Sequence, residues 1–188
     1  MNNDRILINK LKNFENINSN FLTITLILIG SILLAISAKV QVPFWPVPMT
    51  MQTFVIFLIG MTYSVRLSFA TVAFYLFQGA IGLPVFAAGG GVAYLVGPTA
   101  GYLYGMLFAS IVISYLANLG FSKTYFKATV SLLIGSAIIF SFGIIYLGYI
   151  IGFEKAVAAG LLPFIPSELF KIALAVALIP TLHKIITK

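Results

Sequence analysis

Two ionisable side chains stand three residues apart in an otherwise apolar stretch: Glu168 and Lys171, within Pro166-Ser167-Glu168-Leu169-Phe170-Lys171. On a helix that spacing puts both on one face. An ionisable group at the centre of a membrane helix costs roughly 2.5–3.5 kcal/mol on insertion scales, so such groups face a cavity or one another. Two readings are open: a mutually neutralising pair at a membrane surface, or an acceptor and a donor offered together to a polar ligand. The preceding Leu162-Pro163-Phe164-Ile165-Pro166 fixes the entry of that helix beside the outer loops and favours the ligand site.

Catalytic groupings do not assemble from the remaining residues. The single histidine, His183, falls at the end of the last apolar run with no Ser-His or His-carboxylate partner, and reads as an interfacial residue. Cysteines are absent, which excludes disulfides, thiolate metal sites and cysteine nucleophiles together. No Gly-x-x-x-x-Gly-Lys-Ser/Thr segment occurs to cradle nucleotide phosphates. The expectation is a protein that is not an enzyme and has neither metal nor cofactor of its own.

The elements that must position Glu168 and Lys171 are membrane helices. Of the 188 residues, 61% are hydrophobic and 8% charged, with a mean hydropathy of +1.09; soluble domains run at about 45–50% apolar and about 25% charged. Charge-free stretches cover Phe21 to Ala38, Val40 to Val65, Leu67 to Ser122 and Ala128 to Phe153. The third, as one helix, would extend roughly 84 Å against a hydrocarbon core of about 30 Å, so it folds back. Gly79, Gly82, Pro84, Gly89-Gly90-Gly91, Gly97 and Pro98 mark the interruption, as Pro43, Pro46 and Pro48 do earlier.

The expected fold is therefore an all-α integral membrane protein with six transmembrane helices, at about 21–39, 50–63, 66–81, 98–119, 128–151 and 166–184. A polar tail over 1–20 precedes one transmembrane unit over 21–188, and the first helix reads as an uncleaved span rather than a signal peptide. Six spans put both termini on one side. Arg5, Lys10, Lys12, Arg66, Lys123, Lys127, Lys184 and Lys188 fall there, with only Lys39, Lys155 and Lys171 elsewhere, which makes that side cytoplasmic. The net charge of +7 is thereby explained without nucleic acid. The Asn-, Ile- and Lys-rich tail suggests an AT-rich bacterial gene.

Two outer segments, 41–50 and 81–99, are apolar and irregular. Non-helical backbone at membrane depth persists only where protein buries it or a cavity is lined by it. Gly97-Pro98-Thr99 reads as a helix start with Pro98 at the first helical position, where exposed N–H groups suit a carboxylate or simply reverse the chain. Phe44, Trp45, Phe86, Tyr94 and Tyr102 are either an interfacial belt or a pocket wall. Ser31 and Ala35 have small-x-x-x-small spacing, which allows another helix to approach closely and serves internal packing by default.

The chain resembles the BioY family, the biotin-binding S components of energy-coupling-factor transporters. The likeness rests on Val42-Pro43-Phe44-Trp45-Pro46-Val47-Pro48-Met49-Thr50-Met51-Gln52-Thr53, on Gln78-Gly79-Ala80-Ile81-Gly82-Leu83-Pro84-Val85-Phe86-Ala87, on Gly97-Pro98-Thr99-Ala100-Gly101-Tyr102 and on Leu162-Pro163-Phe164-Ile165-Pro166. It implies an S-component-like bundle in the bacterial cytoplasmic membrane that captures biotin from outside and delivers it inward. A T component and two ATPase subunits would supply the energy, so that ATP enters only through partners. Ser31 and Ala35 match the family's Ala-x-x-x-Ala docking motif with Ser in the first place. Glu168 stands where the family more often has Asp, and reaches one methylene further.

The resemblance also implies roles. Glu168 would accept from the ureido N–H groups of biotin, and Lys171 would donate to the ureido carbonyl or offset Glu168, with Thr50 and Gln52 as further polar contacts. Phe44, Trp45, Phe86 and Tyr94 would form walls and lid, while Gly90, Gly91 and Thr99, within the Gly89 to Thr99 segment, would hold the carboxylate through backbone N–H groups. The opposite orientation sets the carboxylate against Lys171. A ligand-free membrane scaffold, or an S component for another vitamin such as thiamin or riboflavin, is the alternative reading.

Overall fold

A computed structural model of the chain describes residues 19–186, with side-chain surroundings described to Thr181. The tail up to 18 and the side chains of His183, Lys184 and Lys188 lie outside the described residues. The order of elements is α1 (Ser19–Lys39), β1 (Gln41–Val42), β2 (Met49–Thr50), α2 (Gln52–Thr62), α3 (Val65–Ala80), α4 (Val92–Leu95), α5 (Ala100–Asn118), α6 (Tyr125–Ile151), α7 (Phe153–Gly160) and α8 (Ile165–Ile186). Short 3-10 turns over Phe121–Lys123 and Leu162–Phe164 introduce α6 and α8. Among the described residues, four stretches are long and apolar enough to cross a membrane: Asn20–Lys39, Ala100–Asn118, Tyr125–Ile151 and Phe153–Thr181.

These helices are apolar on their outward faces as well as inside. Ile24, Leu28, Ile32 and Ile36 of α1, Leu133, Ile145 and Tyr149 of α6, and Leu169, Phe170 and Leu174 of α8 are all exposed. A soluble surface does not carry so continuous an apolar belt, whereas hydrocarbon solvates it. Specificity therefore has to come from close packing, and glycine supplies it between α5 and α6. A Cβ on Gly143 would sit 2.3 Å from the Tyr102 ring, and one on Gly105 would sit 2.9 Å from the Ile139 backbone. Gly143→Ala should accordingly lower stability by about 1–3 kcal/mol through overpacking, measured as a reduced thermal midpoint in detergent.

The prolines decide where helices stop. Between α1 and α2 the chain makes a minimal antiparallel hairpin pairing Gln41 with Thr50 and Val42 with Met49. The tip carries Pro43, Pro46 and Pro48, which lack the N–H a longer ladder requires; the Trp45–Pro46 bond is cis. The sequence reads as irregular here, but the base of the segment is paired, and Met51 N–H adds a bond to Val40 O at 3.0 Å.

The second outer segment leaves α3 through Gly82 at φ +98°, turns back at the Phe86–Gly89 bridge, and makes the single turn α4. The expectation that Pro98 opens the next helix needs correction. Thr99 is the N-cap of α5 and Ala100 its first residue, because the bonds Gly97 N–H to Tyr94 O and Ala100 N–H to Gly97 O keep the chain in turns until then. The amphipathic α7 is an element absent from the six-helix expectation.

Candidate functional site

One cavity has an acid and an amine in its wall. It holds about 500 Å³ of empty volume, its open mouth included, and lies between α2, α5, α6, α8 and the two outer segments. Its polar lining is Thr50, Gln52, Thr53, Thr99, Glu168 and Lys171; Val47, Pro48, Leu103, Met106, Ile139 and Phe140 supply apolar walls.

Glu168 and Lys171 lie one turn apart at the start of α8, directed inward because Leu162–Phe164 and Pro166 set the helix entry. Both are almost completely buried, at 4% and 3% exposure. Lys171 Nζ lies 3.2 Å from Glu168 Oε2. It also donates to Thr53 Oγ1 at 3.1 Å, and that hydroxyl donates on to Glu168 Oε2 at 2.8 Å. Ser136 Oγ of α6 donates to Glu168 Oε1 at 3.1 Å. The carboxylate is thus held by three helices, α2, α6 and α8. Buried charges require such neutralisation and hydrogen bonding to be tolerated at all.

Gln52, at the first position of α2, takes part in a second network. Its Nε2 donates to Tyr75 Oη at 2.7 Å, and its Oε1 accepts from Thr50 Oγ1 at 3.1 Å. An aromatic wall faces it. Tyr102 stacks on Phe164 with centroids 6.4 Å apart, Phe140 meets both edge-on, and Tyr102 Oη is fixed by donation to Gly160 O at 2.8 Å.

The structure brings together seven residues singled out from sequence: Thr50, Gln52, Tyr94, Thr99, Tyr102, Glu168 and Lys171 all line the cavity. Five others do not. Phe44 packs edge-on against the outer side of Phe164, at 6.2 Å between centroids. Trp45 is 81% exposed at the hairpin tip and points away. Phe86 is fully buried behind Tyr94, stacked on it at 4.9 Å.

Gly90 and Gly91 lie outside the cavity lining, and the expected carboxylate grip through their backbone requires correction at Gly91. Its N–H is committed to Gly79 O at 2.7 Å. Gly90 instead has a steric role, since a Cβ there would stand 2.1 Å from Leu83 O. The pair marked for a partner, Ser31 and Ala35, also divides. Ser31 is turned inward at 1% exposure and donates to Gln78 Oε1 at 2.9 Å, while Ala35 is half-buried.

Sequence reasoning did not assign Thr53, Ser136, Tyr75 or Phe164 to the site, whereas Tyr102, read from sequence as belt or pocket wall, lines the cavity. Thr53 and Ser136 carried one available signal: a buried acid needs donors, and these are hydroxyls in otherwise apolar helices.

Comparison with known proteins gives a consistent result. The sequence model of the BioY family matches residues 10–188. The chain is 36% identical to the probable biotin transporter BioY of Rickettsia prowazekii, over 89% of this chain and 86% of that protein. It is 36% identical to the biotin transporter BioY of Thermotoga maritima, over 81% and 90% respectively. The fold superposes with a TM-score of 0.78, at 25% identity, on the crystal structure of the S-component for biotin from an ECF-type ABC transporter, covering 90% of this chain and 95% of that one.

Proposed function

Because the chain belongs to the BioY family, we propose that it is a multi-pass membrane protein that captures biotin in the cavity above α8 and passes it across the membrane. The observation that carries this is the Glu168–Lys171 pair, buried under two apolar outer segments yet lining an accessible cavity. The ureido group of biotin presents two N–H donors and one carbonyl acceptor, matching a carboxylate beside an ammonium. The thiophane ring meets the Tyr102–Phe164 wall and Met106. The valerate carboxylate extends toward Thr99 at the start of α5, where the positive end of a helix favours it. Gly90 lets the second segment fold back against Leu83, and Gly91 supplies the positive φ at which its N–H meets Gly79 O.

In this reading α1, α2, α3, α5, α6 and α8 span the bilayer with both termini on the cytoplasmic side, where Arg66, Lys123 and Lys127 also lie. At 11 residues α2 is about 16 Å long, so the hairpin before it sits within the membrane rather than above it. A transmembrane T component and two ATPases supply the energy. The T component docks on the outward apolar face of α1, around Ile32, Ala35 and Ile36, in a bacterial cytoplasmic membrane. Lipid covers the remaining belt.

Biotin should stabilise the purified protein by RT ln(1 + [L]/Kd), about 2.7 kcal/mol at a hundred-fold excess over Kd, and thiamin or riboflavin should not. A thermal midpoint indifferent to biotin would remove the reading in favour of a ligand-free scaffold; a shift with thiamin or riboflavin would reassign the vitamin.

A further inference from the structure

Three consecutive backbone carbonyls of the second outer segment each accept a hydrogen bond from a side chain on a different element. Tyr75 Oη of α3 donates to Val85 O at 3.0 Å. Lys39 Nζ, at the end of α1, donates to Phe86 O at 2.6 Å and reaches Ala87 O at 3.5 Å. Gln41 Nε2 of β1 donates to Ala87 O at 3.3 Å. None of these three donors lines the cavity.

The clamped tripeptide is mechanically joined to the site in two ways. Phe86 meets Tyr75 edge-on at 5.4 Å and stacks on Tyr94, which does line the cavity. Tyr75 Oη also accepts from Gln52 Nε2, so hydrogen bonds run from Thr50 through Gln52 and Tyr75 to the carbonyl of Val85. Moving the segment outward would strand the buried Tyr75 phenol from its acceptor and break the bonds made by the exposed Lys39 and Gln41 side chains, and Tyr94 would leave the cavity with it. Lys39, exposed at the end of α1, supplies the charged donor of the three, and Tyr75 the fully buried one.

We propose that Tyr75 and Lys39 are positioning residues that keep the second outer segment closed over the cavity and so set how long biotin stays bound. This rests on the biotin reading and adds to it a control of release that does not touch the ligand. Closure over an occupied site acts on departure more than on arrival, because affinity differences within one site reside mostly in the dissociation rate.

The test uses the full chain purified in detergent, with Tyr75→Phe, Lys39→Met and Lys39→Arg. Dissociation of radiolabelled biotin after a chase is read beside association, and deuterium exchange over residues 82–97 is followed without ligand. In Tyr75→Phe and Lys39→Met, dissociation should be about ten-fold faster and association within about three-fold of wild type. Exchange over 82–97 should rise while that of α5 and α6 stays unchanged. Lys39→Arg, which keeps a charged donor, should restore slow dissociation.

Dissociation within about two-fold of wild type in both donor-deleted variants, or unchanged exchange over the segment, overturns the proposal. If Tyr75→Phe does not fold, Lys39→Met alone decides it. Failure of the wild type to bind biotin would instead count against the biotin reading, and the exchange arm, needing no ligand, would still decide the clamp.

Discussion

Lys171→Ala and Glu168→Ala are each expected to weaken biotin binding by at least ten-fold while the protein still inserts and purifies as a folded monodisperse species. Two effects add in these variants. The ligand loses a desolvated polar partner, which typically costs 2–5 kcal/mol. The remaining charge, buried at 4% exposure or less, loses its counter-charge; breaking a buried pair on one side is strongly unfavourable, by about 3–5 kcal/mol.

The second effect also lowers thermal stability, so affinity and melting are measured on the same preparations. Glu168→Ala/Lys171→Ala separates the two effects. Removing both charges should restore much of the lost stability, because no lone charge remains, and should leave binding as weak as in either single variant. Wild-type affinity in both single variants would refute the assigned roles.

Gly79→Ala, in the last turn of α3, is expected to be the most damaging change among the glycines that seat the second outer segment. A Cβ at 79 would lie 1.9 Å from Phe86 Cζ. The ring can yield only by displacing its neighbours, since Phe86 is fully buried with Tyr75 edge-on and Tyr94 stacked against it. The Gly79 carbonyl also accepts from the N–H groups of Gly82 and Gly91. Pushing the ring out therefore displaces Tyr94 from the cavity and disturbs the turn that carries it.

Overpacking of this kind costs about 1–3 kcal/mol. Biotin affinity should fall at least ten-fold, with a lower thermal midpoint. Phe86→Leu in the same chain should recover part of the midpoint by shortening the intruding side chain. An alanine variant with unchanged affinity and midpoint would show that the notch at 79 does not hold the segment.

How far these features could be read from the residues follows from what produced them. Hydropathy runs and proline positions are local, and they located the long elements closely: α3 over Val65–Ala80 against an expected 66–81, and α5 over Ala100–Asn118 against 98–119. The inward face of Glu168 and Lys171 was legible because a charged pair three apart in an apolar helix has few tolerable placements.

The irregular segments have no period from which to assign faces. Trp45 and Phe86 therefore looked like walls of equal merit to Tyr94, whereas one points outward and the other packs behind. The ties of Lys39 to Phe86 and of Thr53 to Glu168 join residues far apart in sequence, and nothing local in either partner announces the other. The segment carrying Gly91 could be recognised as non-helical, but the use of its N–H on Gly79 depends on how the chain returns to α3.

The central claim is that the ureido group, not the carboxylate, of biotin is held by the Glu168–Lys171 pair. Equilibrium binding of biotin and of biotin amide, whose carboxylate is masked, to wild-type protein and to Lys171→Ala tests it most directly. The account predicts that Lys171→Ala weakens both ligands by similar factors. If the substitution weakened biotin but left the amide unaffected, the carboxylate would be the group that Lys171 holds and the assignment would be contradicted.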